Sequence, residues 1–274
     1  MIDVLVIGAC GRMGSLVART VQAQPDMRLV ALVDPAFANA GADEADAGVA
    51  TSSAPSFASL ALALKQTKPT VAVEFSLPAS VYANTLALLE AGVDTVVGAT
   101  GLSDEQLAQL FAAARQHSAH LFVAPNFALG AVLLMEFSRR AATVFERAEI
   151  IEFHHEAKVD APSGTSLRTA ALMNDEPGSR LSATPVLPEA SKSDSGAGEP
   201  VSRGLGCGAV RVHSVRLPGL VAHQEVLFGG PGELLTLRHD SFALESFMTG
   251  VMLAVREVGH LAEPTVGLEK LLAE

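Results

Sequence analysis

Apolar positions follow two rhythms along this chain. Residues 2–7, Ile-Asp-Val-Leu-Val-Ile, form a β-branched run that stops at Gly8. From Arg12 to Ala23 the positions Met13, Leu16, Val17, Thr20 and Val21 recur at helical spacing. The order strand, turn, helix then repeats. Runs at 29–33, 70–75, 95–97 and 120–123 read as strands, and the patterns at 57–66, 79–91 and 104–116 as helices. This alternation predicts βαβ units around a parallel sheet. Residues 34–55, rich in Ala, Asp, Gly and Ser, read as a loop region with at most short structure.

Beyond Gly130 the rhythm changes. A long apolar helical pattern at 131–145 precedes a strand at 148–153 and a helix from about 164 to 173. Residues 174–208 are dense in Pro, Ser, Gly, Asp and Glu and predict a long surface excursion. Three strand-like runs follow, at 209–216, 220–228 and 233–239, with Gly229-Gly230-Pro231-Gly232 as a hairpin signal between the last two. They are expected to run antiparallel. A final helical pattern, 242–258, is apolar enough to pack onto another element.

A chain of 274 residues lies near the length at which single cores divide, so two domains are expected. Hydrophobic residues make up 49% and charged ones 18%, yet no uncharged run reaches the roughly 18 to 20 residues that cross a bilayer. A soluble protein without membrane contact is expected. Met1 leads directly into an apolar run with no basic leader, which points to the cytoplasm. Cys10 and Cys207 cannot build a disulfide framework, and neither has a Cys or His at ligand spacing, so no metal is expected. The net charge of -11 disfavours a nucleic-acid partner, because phosphate binding needs a basic face. An acidic protein that binds an anion must gather its few cations in one place, and His154, His155 and Lys158 are such a gathering.

Gly8-Ala9-Cys10-Gly11-Arg12-Met13-Gly14 stands between the first strand and the first helix, where a dinucleotide's pyrophosphate is held by backbone N–H groups. Its spacing is Gly-x-x-Gly-x-x-Gly. Asp34, 20 residues after Gly14 at the end of the second strand, is placed to accept hydrogen bonds from the adenosine ribose. A carboxylate there repels a 2'-phosphate, and Pro35, Ala36 and Phe37 supply no Arg to balance one. NADH is therefore expected to serve at least as well as NADPH, and because Arg12 in the glycine loop can swing toward a 2'-phosphate both are expected as cofactors, NADH being equal or modestly preferred. Arg12 reads either as a phosphate neighbour or as an exposed first-turn residue. The segments Gly98-Ala99-Thr100-Gly101 and Ala124-Pro125-Asn126-Phe127 end later parallel strands, the edge at which open α/β sheets bind ligands.

The most specific stretch is Glu152-Phe153-His154-His155-Glu156-Ala157-Lys158-Val159-Asp160-Ala161-Pro162-Ser163-Gly164-Thr165. Ser163-Gly164-Thr165 opens a helix directly after a proline, so N–H groups, hydroxyls and the positive end of the helix dipole suit a carboxylate. Lys158 adds a mobile ammonium, and the histidines add imidazoles, the side chain most often used as a general acid. An extended backbone would point His154 and His155 to opposite sides.

This run closely resembles the Glu-x-His-His-x-x-Lys-x-Asp-Ala-Pro-Ser-Gly-Thr signature of the dihydrodipicolinate (4-hydroxy-tetrahydrodipicolinate) reductase family of the lysine and diaminopimelate pathway. The resemblance runs through nearly the whole chain and is weakest at 36–56 and 174–208. It implies a Rossmann-type parallel-sheet dinucleotide-binding domain, discontinuous over 1–126 and 241–274. A second, α+β substrate and oligomerisation domain with a mainly antiparallel sheet would occupy 127–240. It implies that His154 donates or accepts a proton and that Lys158 is a second donor, while His155, Ser163, Gly164 and Thr165 contact a small dicarboxylate substrate. The nicotinamide side would be lined by Gly98, Ala99 and Thr100, resembling the family's Gly-Thr-Thr-Gly with Ala99 in place of a Thr, and by Ala124 to Phe127. Arg216-Leu217-Pro218-Gly219 and Arg238-His239-Asp240-Ser241 also resemble the family; Arg238 reads as a cross-sheet pair before it reads as a substrate contact. A homotetramer built through the second sheet is implied as well. Two other readings stay open: another Rossmann oxidoreductase, such as a homoserine dehydrogenase, and a non-catalytic NAD(H)-binding redox sensor.

Overall fold

The computed structural model describes residues 1–38, 53–183 and 203–272. The loop expected over much of 34–55 and the excursion expected over much of 174–208 therefore lie largely outside the described residues. The chain divides into two compact units, Met1–Leu129 with Leu244–Glu274, and Gly130–Ala243.

In the first unit, β1 (Ile2–Ile7) leads through the glycine loop into α1 (Arg12–Gln22) and returns as β2 (Met27–Val33). β3 (Ser56–Phe57), α2 (Leu60–Gln66), β4 (Val71–Glu74), α3 (Pro78–Glu90), β5 (Asp94–Val97), α4 (Asp104–His117) and β6 (Leu121–Val123) continue the alternation. Every pairing within this sheet is parallel. The strands read Val-Ala-Val or Leu-Val-Ala-Leu-Val without alternation because both faces are covered by helices. Helix ends follow local chemistry: Ser103 and Gln106 form a reciprocal capping box at the start of α4, and the Ser59 hydroxyl accepts from Leu62 N–H at the start of α2.

The strand order is β12-β6-β5-β4-β1-β2-β3, where β12 is Thr265–Val266. The order reverses between β1 and β4, which opens a crevice beyond their carboxyl ends. The two-residue strands β3 and β12 leave almost no periodic signal in the sequence. The 242–258 pattern begins later than its apolar residues suggest, as a 3-10 turn (Leu244–Phe247) followed by α7 (Met248–Glu257). Arg256 on α7 pairs with Asp26 at 2.7 Å, tying this helix to the entry of β2.

The second unit lays α5 (Leu129–Ala142) and α6 (Gly164–Asp175) on one face of a five-stranded sheet, order β11-β10-β7-β9-β8. Here β7 is Arg147–His154, β8 Leu205–Cys207, β9 Val210–Arg216, β10 Ala222–Gly230 and β11 Glu233–Ser241. Its core gathers Leu134, Ile150, Met173, Val212, Val226 and Phe228. Each such side chain contributes about 1.5–3 kcal/mol relative to exposure.

The sheet is mainly antiparallel, yet the three late runs do not form one antiparallel ribbon. β10 pairs antiparallel with β11 and with β7, whereas β9 runs parallel to β7 on its other side. A parallel partner needs a long connection carrying a helix, and the stretch containing α6 is that connection. Local periodicity identifies a strand but not its neighbour.

Gly14 packs against the turn below it: a Cβ there would stand 1.9 Å from the Gly8 carbonyl oxygen. Gly14→Ala is expected to destabilise the protein by about 1–3 kcal/mol through overpacking, read as a lower urea midpoint. Gly229→Ala, with no heavy atom within 4 Å of its Cβ position, serves as the control and is expected to change stability by under about 0.5 kcal/mol. Equal effects from the two substitutions would contradict the packing described for the glycine loop.

Candidate active site

At the crevice of the first unit the glycine loop is held by its own amides. Gly8 N–H and Ala9 N–H donate to Val33 O at 2.9 and 3.3 Å, Gly11 N–H donates to Gly8 O at 3.0 Å, and Cys10 N–H donates to Asp34 Oδ2 at 3.1 Å. These bonds leave the first turn of α1, at Arg12, Met13 and Gly14, to meet an anion, and no side chain caps it. Gly8 has φ +75°, and a Cβ there would lie 2.6 Å from Phe75 O, so the backbone comes close only because side chains are missing. Asp34 also accepts from Ala36 N–H at 2.9 Å, so one carboxylate braces both the loop and the bend after β2. Arg12 is exposed.

Cys10 is held protonated, its thiol pushed up to about 11 by burial and by the neighbouring Asp34 charge. A cavity of about 510 Å³ is lined by Gly8, Gly11, Asp34 and Pro35 together with Ala58, Ser59, Phe75, Ser76, Ser80 and Asn84. A dinucleotide fits this donor set: side-chain-free turns, a helix N-terminus and a carboxylate at the end of the second strand.

Sequence reasoning missed the β4–α3 wall. There Glu74 is buried and its carboxyl is pushed up by burial, against the bonds it accepts from Ser76 N–H at 2.5 Å and Asn84 Nδ2 at 3.3 Å. Gly98 and Ala99 N–H donate to Glu74 O, and a Cβ on Gly98 would strike the Phe75 ring at 2.2 Å. Thr100 and Pro125 are exposed, and Asn126 Oδ1 accepts from Ala128 N–H. Ala124 and Phe127 are buried in the core, Phe127 packing on Phe75 and Phe122 with ring centroids 6.0 and 6.3 Å apart.

In the second unit the signature residues gather around a fully buried carboxylate, Glu152. His154 ends β7, two residues on and therefore on the same face, and its Nδ1 lies 2.5 Å from Glu152 Oε2. Arg216 donates Nη1 and Nη2 to the two carboxylate oxygens, each at 2.8 Å. Ser163 N–H donates to Oε1 at 3.2 Å. Burial pushes the Glu152 carboxyl up, but hydrogen bonds from His154, Arg216 and Ser214 outweigh it and bring its pKa from 4.5 down to about 2.

His155 lies beyond the strand in an exposed turn closed by Lys158 N–H to His155 O at 3.1 Å. Lys158 Nζ sits 2.7 and 2.8 Å from the Asp160 oxygens, while Arg216 Nη2 holds Asp160 O at 2.7 Å. The Ser163 hydroxyl is turned inward as the cap of α6, accepting from Ser166 N–H, with Gly164 and Thr165 forming the first turn. Gly164 is exposed, with no heavy atom within 4 Å of its Cβ position. Arg238 pairs with Glu225, its partner across the β10–β11 ladder, and with Asp240, its guanidinium 5.3 Å from the centre of the Phe153 ring.

Sequence profiles of known families match along nearly the whole chain. The profile described as Dihydrodipicolinate reductase, N-terminus, covers residues 2–127, and that described as Dihydrodipicolinate reductase, C-terminus, covers 130–272. The chain belongs to the dihydrodipicolinate reductase family. It is 43% identical over 274 residues to the 4-hydroxy-tetrahydrodipicolinate reductase of Lactiplantibacillus plantarum, covering 99% of this chain and 100% of that one. It is likewise 43% identical to the enzyme of the same name from Thermosynechococcus vestitus, covering 99% of this chain and 97% of that one. Among solved structures, the dipicolinate-bound dihydrodipicolinate reductase from Paenisporosarcina sp. TG-14 superposes with TM-score 0.86 at 39% identity, covering 98% of this chain and 99% of that one.

Within this dihydrodipicolinate reductase family member, Glu152 and Arg216 are the residues that sequence reasoning left without a role. The i, i+2 spacing of Glu152 and His154 was a local signal; the Arg216 contact, 64 residues away, was not. Among the described residues no helix is long and apolar enough to cross a membrane, and no cluster of His, Cys, Asp and Glu is placed to hold a metal ion.

The depressed Glu152 pKa fixes a sign. Its contribution to stability is fully present above the unfolded value of 4.5 and is lost as pH falls toward about 2. Urea midpoints measured from pH 5 downward are expected to fall more steeply for wild type than for Glu152→Gln. Identical pH slopes would contradict the ionised, hydrogen-bonded state of this carboxylate.

Proposed function

We infer that this chain is an NAD(P)H-dependent oxidoreductase that reduces 4-hydroxy-tetrahydrodipicolinate to tetrahydrodipicolinate, with release of water, in lysine and diaminopimelate biosynthesis. The observation that carries this reading is the grouping of His154, Lys158 and the Ser163–Thr165 helix start around one buried carboxylate. Its support from relatives is their shared name over the full chain and the bound dipicolinate of the Paenisporosarcina enzyme.

In this reading residues 1–126 and 241–274 form the dinucleotide-binding domain, and residues 127–240 the substrate and oligomerisation domain. Arg12, Met13 and Gly14 N–H groups receive the pyrophosphate, Asp34 the ribose hydroxyls, and the loops at 98–100 and 124–127 the nicotinamide half. When bound, the dihydronicotinamide supplies a hydride to the substrate ring. His154 then delivers a proton from Nε2 to the ring system, where negative charge develops, and Lys158 serves as a second proton donor.

Gly164 and Thr165, opening α6, seat a substrate carboxylate together with His155 and with Lys158. The cap bond of Ser163 shapes that seat instead of reaching the substrate. The Lys158–Asp160 pair does not block this role: Asp160 is 60% exposed, and a partner so open to water holds by only about 0–1 kcal/mol. A substrate carboxylate replaces it at little cost.

The open face of the second sheet supports a homotetramer. Ile151, Phe153, Val215 and Leu227 point away from α5 and α6 and are only partly covered within one chain.

His154→Gln is expected to keep cofactor affinity while losing roughly 100- to 10,000-fold in turnover, measured at 340 nm with enzymatically generated substrate. Retention of more than a third of wild-type turnover would remove His154 from the mechanism, and binding of NADH without its oxidation in wild type would favour the sensor reading.

On cofactor choice, Asp34 faces any 2'-phosphate without an adjacent Arg, a repulsion worth about 1 kcal/mol at a solvated site. Both cofactors are expected to work, NADH equally well or modestly better, with Asp34→Ser combined with Pro35→Arg shifting preference toward NADPH. A wild-type kcat/KM more than about tenfold higher with NADPH, a gap of roughly 1.4 kcal/mol, would refute the role given to Asp34.

A further inference from the structure

The Glu152 carboxylate is wholly inaccessible to solvent and accepts from three parts of the chain at once. His154 Nδ1 and Arg216 Nη1 share Oε2, and Arg216 Nη2 and Ser163 N–H share Oε1. In register it faces Ser214 on β9 and Gln224 on β10, so the neighbouring strands also present polar groups to it. Gln224 is itself buried, and its Nε2 donates to Thr169 Oγ1 at 2.8 Å, which in turn donates to Thr165 O at 2.8 Å. The first turn of α6 is thus tied to the sheet twice, once from each of two facing residues. Arg216 reaches further and, through Asp160 O, holds the loop that carries Lys158.

A carboxylate that stays ionised at every working pH has no proton to give. In the short Glu152–His154 contact the donor is therefore the Nδ1–H of the imidazole, in the neutral ring as well as in the charged one. Proton exchange is left to Nε2 alone. A structural ion pair between Glu152 and Arg216 would not need this contact, since Arg216 already occupies both oxygens.

We propose that Glu152 is a positioning residue for the reduction: it fixes the Nδ1–H tautomer and orientation of His154 and, through the Ser163 amide, sets the proton donor in register with the carboxylate seat at the start of α6. This rests on the reading of His154 given above. A carboxylate that fixes the tautomer of an acid–base imidazole in this way contributes up to about 10,000-fold in kcat. Residues that act as a unit lose little more when both are removed than when one is.

The test is a double-mutant cycle over wild type, Glu152→Gln, His154→Gln and the double variant, assayed as holoenzyme with enzymatically generated substrate and NADH. Glu152→Gln is expected to lower kcat about 10- to 10,000-fold while KM for substrate and Kd for NADH stay within about threefold. In the His154→Gln background the same change is expected to cost under about threefold. A fully multiplicative loss in the double variant, or more than a third of wild-type kcat in Glu152→Gln, would overturn the proposal. If Glu152→Gln fails to fold, long-range 15N–1H correlation of the wild-type His154 ring decides the matter alone: a neutral ring protonated at Nδ1 is expected, and one protonated at Nε2 overturns it. Wild-type turnover in His154→Gln would instead strike the underlying reading of His154, and the two failures are distinguishable because the tautomer measurement does not depend on turnover.

Discussion

A charge removed from water must be satisfied from all sides, and the arrangement of the second unit follows from that requirement at Glu152. Burial opposes its ionisation, so the carboxylate persists only where donors converge. Arg216 comes from β9, His154 from β7 itself, and the Ser163 amide from the start of α6. The parallel crossover that sets β9 beside β7 brings Arg216 within reach, and its connection carries the signature loop. Topology and electrostatics are the same constraint seen at two scales.

The first unit meets a different constraint, how to bring backbone close to backbone at the glycine loop. A side chain on Gly8 would meet the Phe75 backbone and one on Gly14 the Gly8 carbonyl, and the early amides of the loop donate to Val33 and Asp34. That internal bonding needs no ligand, and the amides at the start of α1 are ones that a helix leaves without an intrahelical acceptor and that no side chain caps.

Much of this was legible in the sequence because it is written locally. The alternating strands and helices, the glycine loop, Asp34 and the His-His-x-x-Lys run each announce themselves within a window of a dozen residues. What was not legible depends on residues far apart. The parallel placement of β9, the clamp of Arg216 on Glu152, and the wall of Phe75, Ser76 and Asn84 beside the crevice are products of folding, not of local pattern. The short strands β3 and β12 hold two residues each, too few for a period to show. Ser163 illustrates a subtler case: the helix start was recognised, but whether its hydroxyl faces a ligand or caps its own helix is decided by the buried pair Ser163 and Ser166.

The most direct test of the whole account is a crystal structure of this protein with NADH and pyridine-2,6-dicarboxylate, a planar mimic of the substrate. One carboxylate of the mimic is expected on the Gly164 and Thr165 amides with Lys158 turned toward it, His154 presenting Nε2 to the ring, and the ribose hydroxyls of NADH on Asp34. A mimic bound away from the start of α6, or an imidazole flipped so that Nδ1 leaves Glu152, would contradict it.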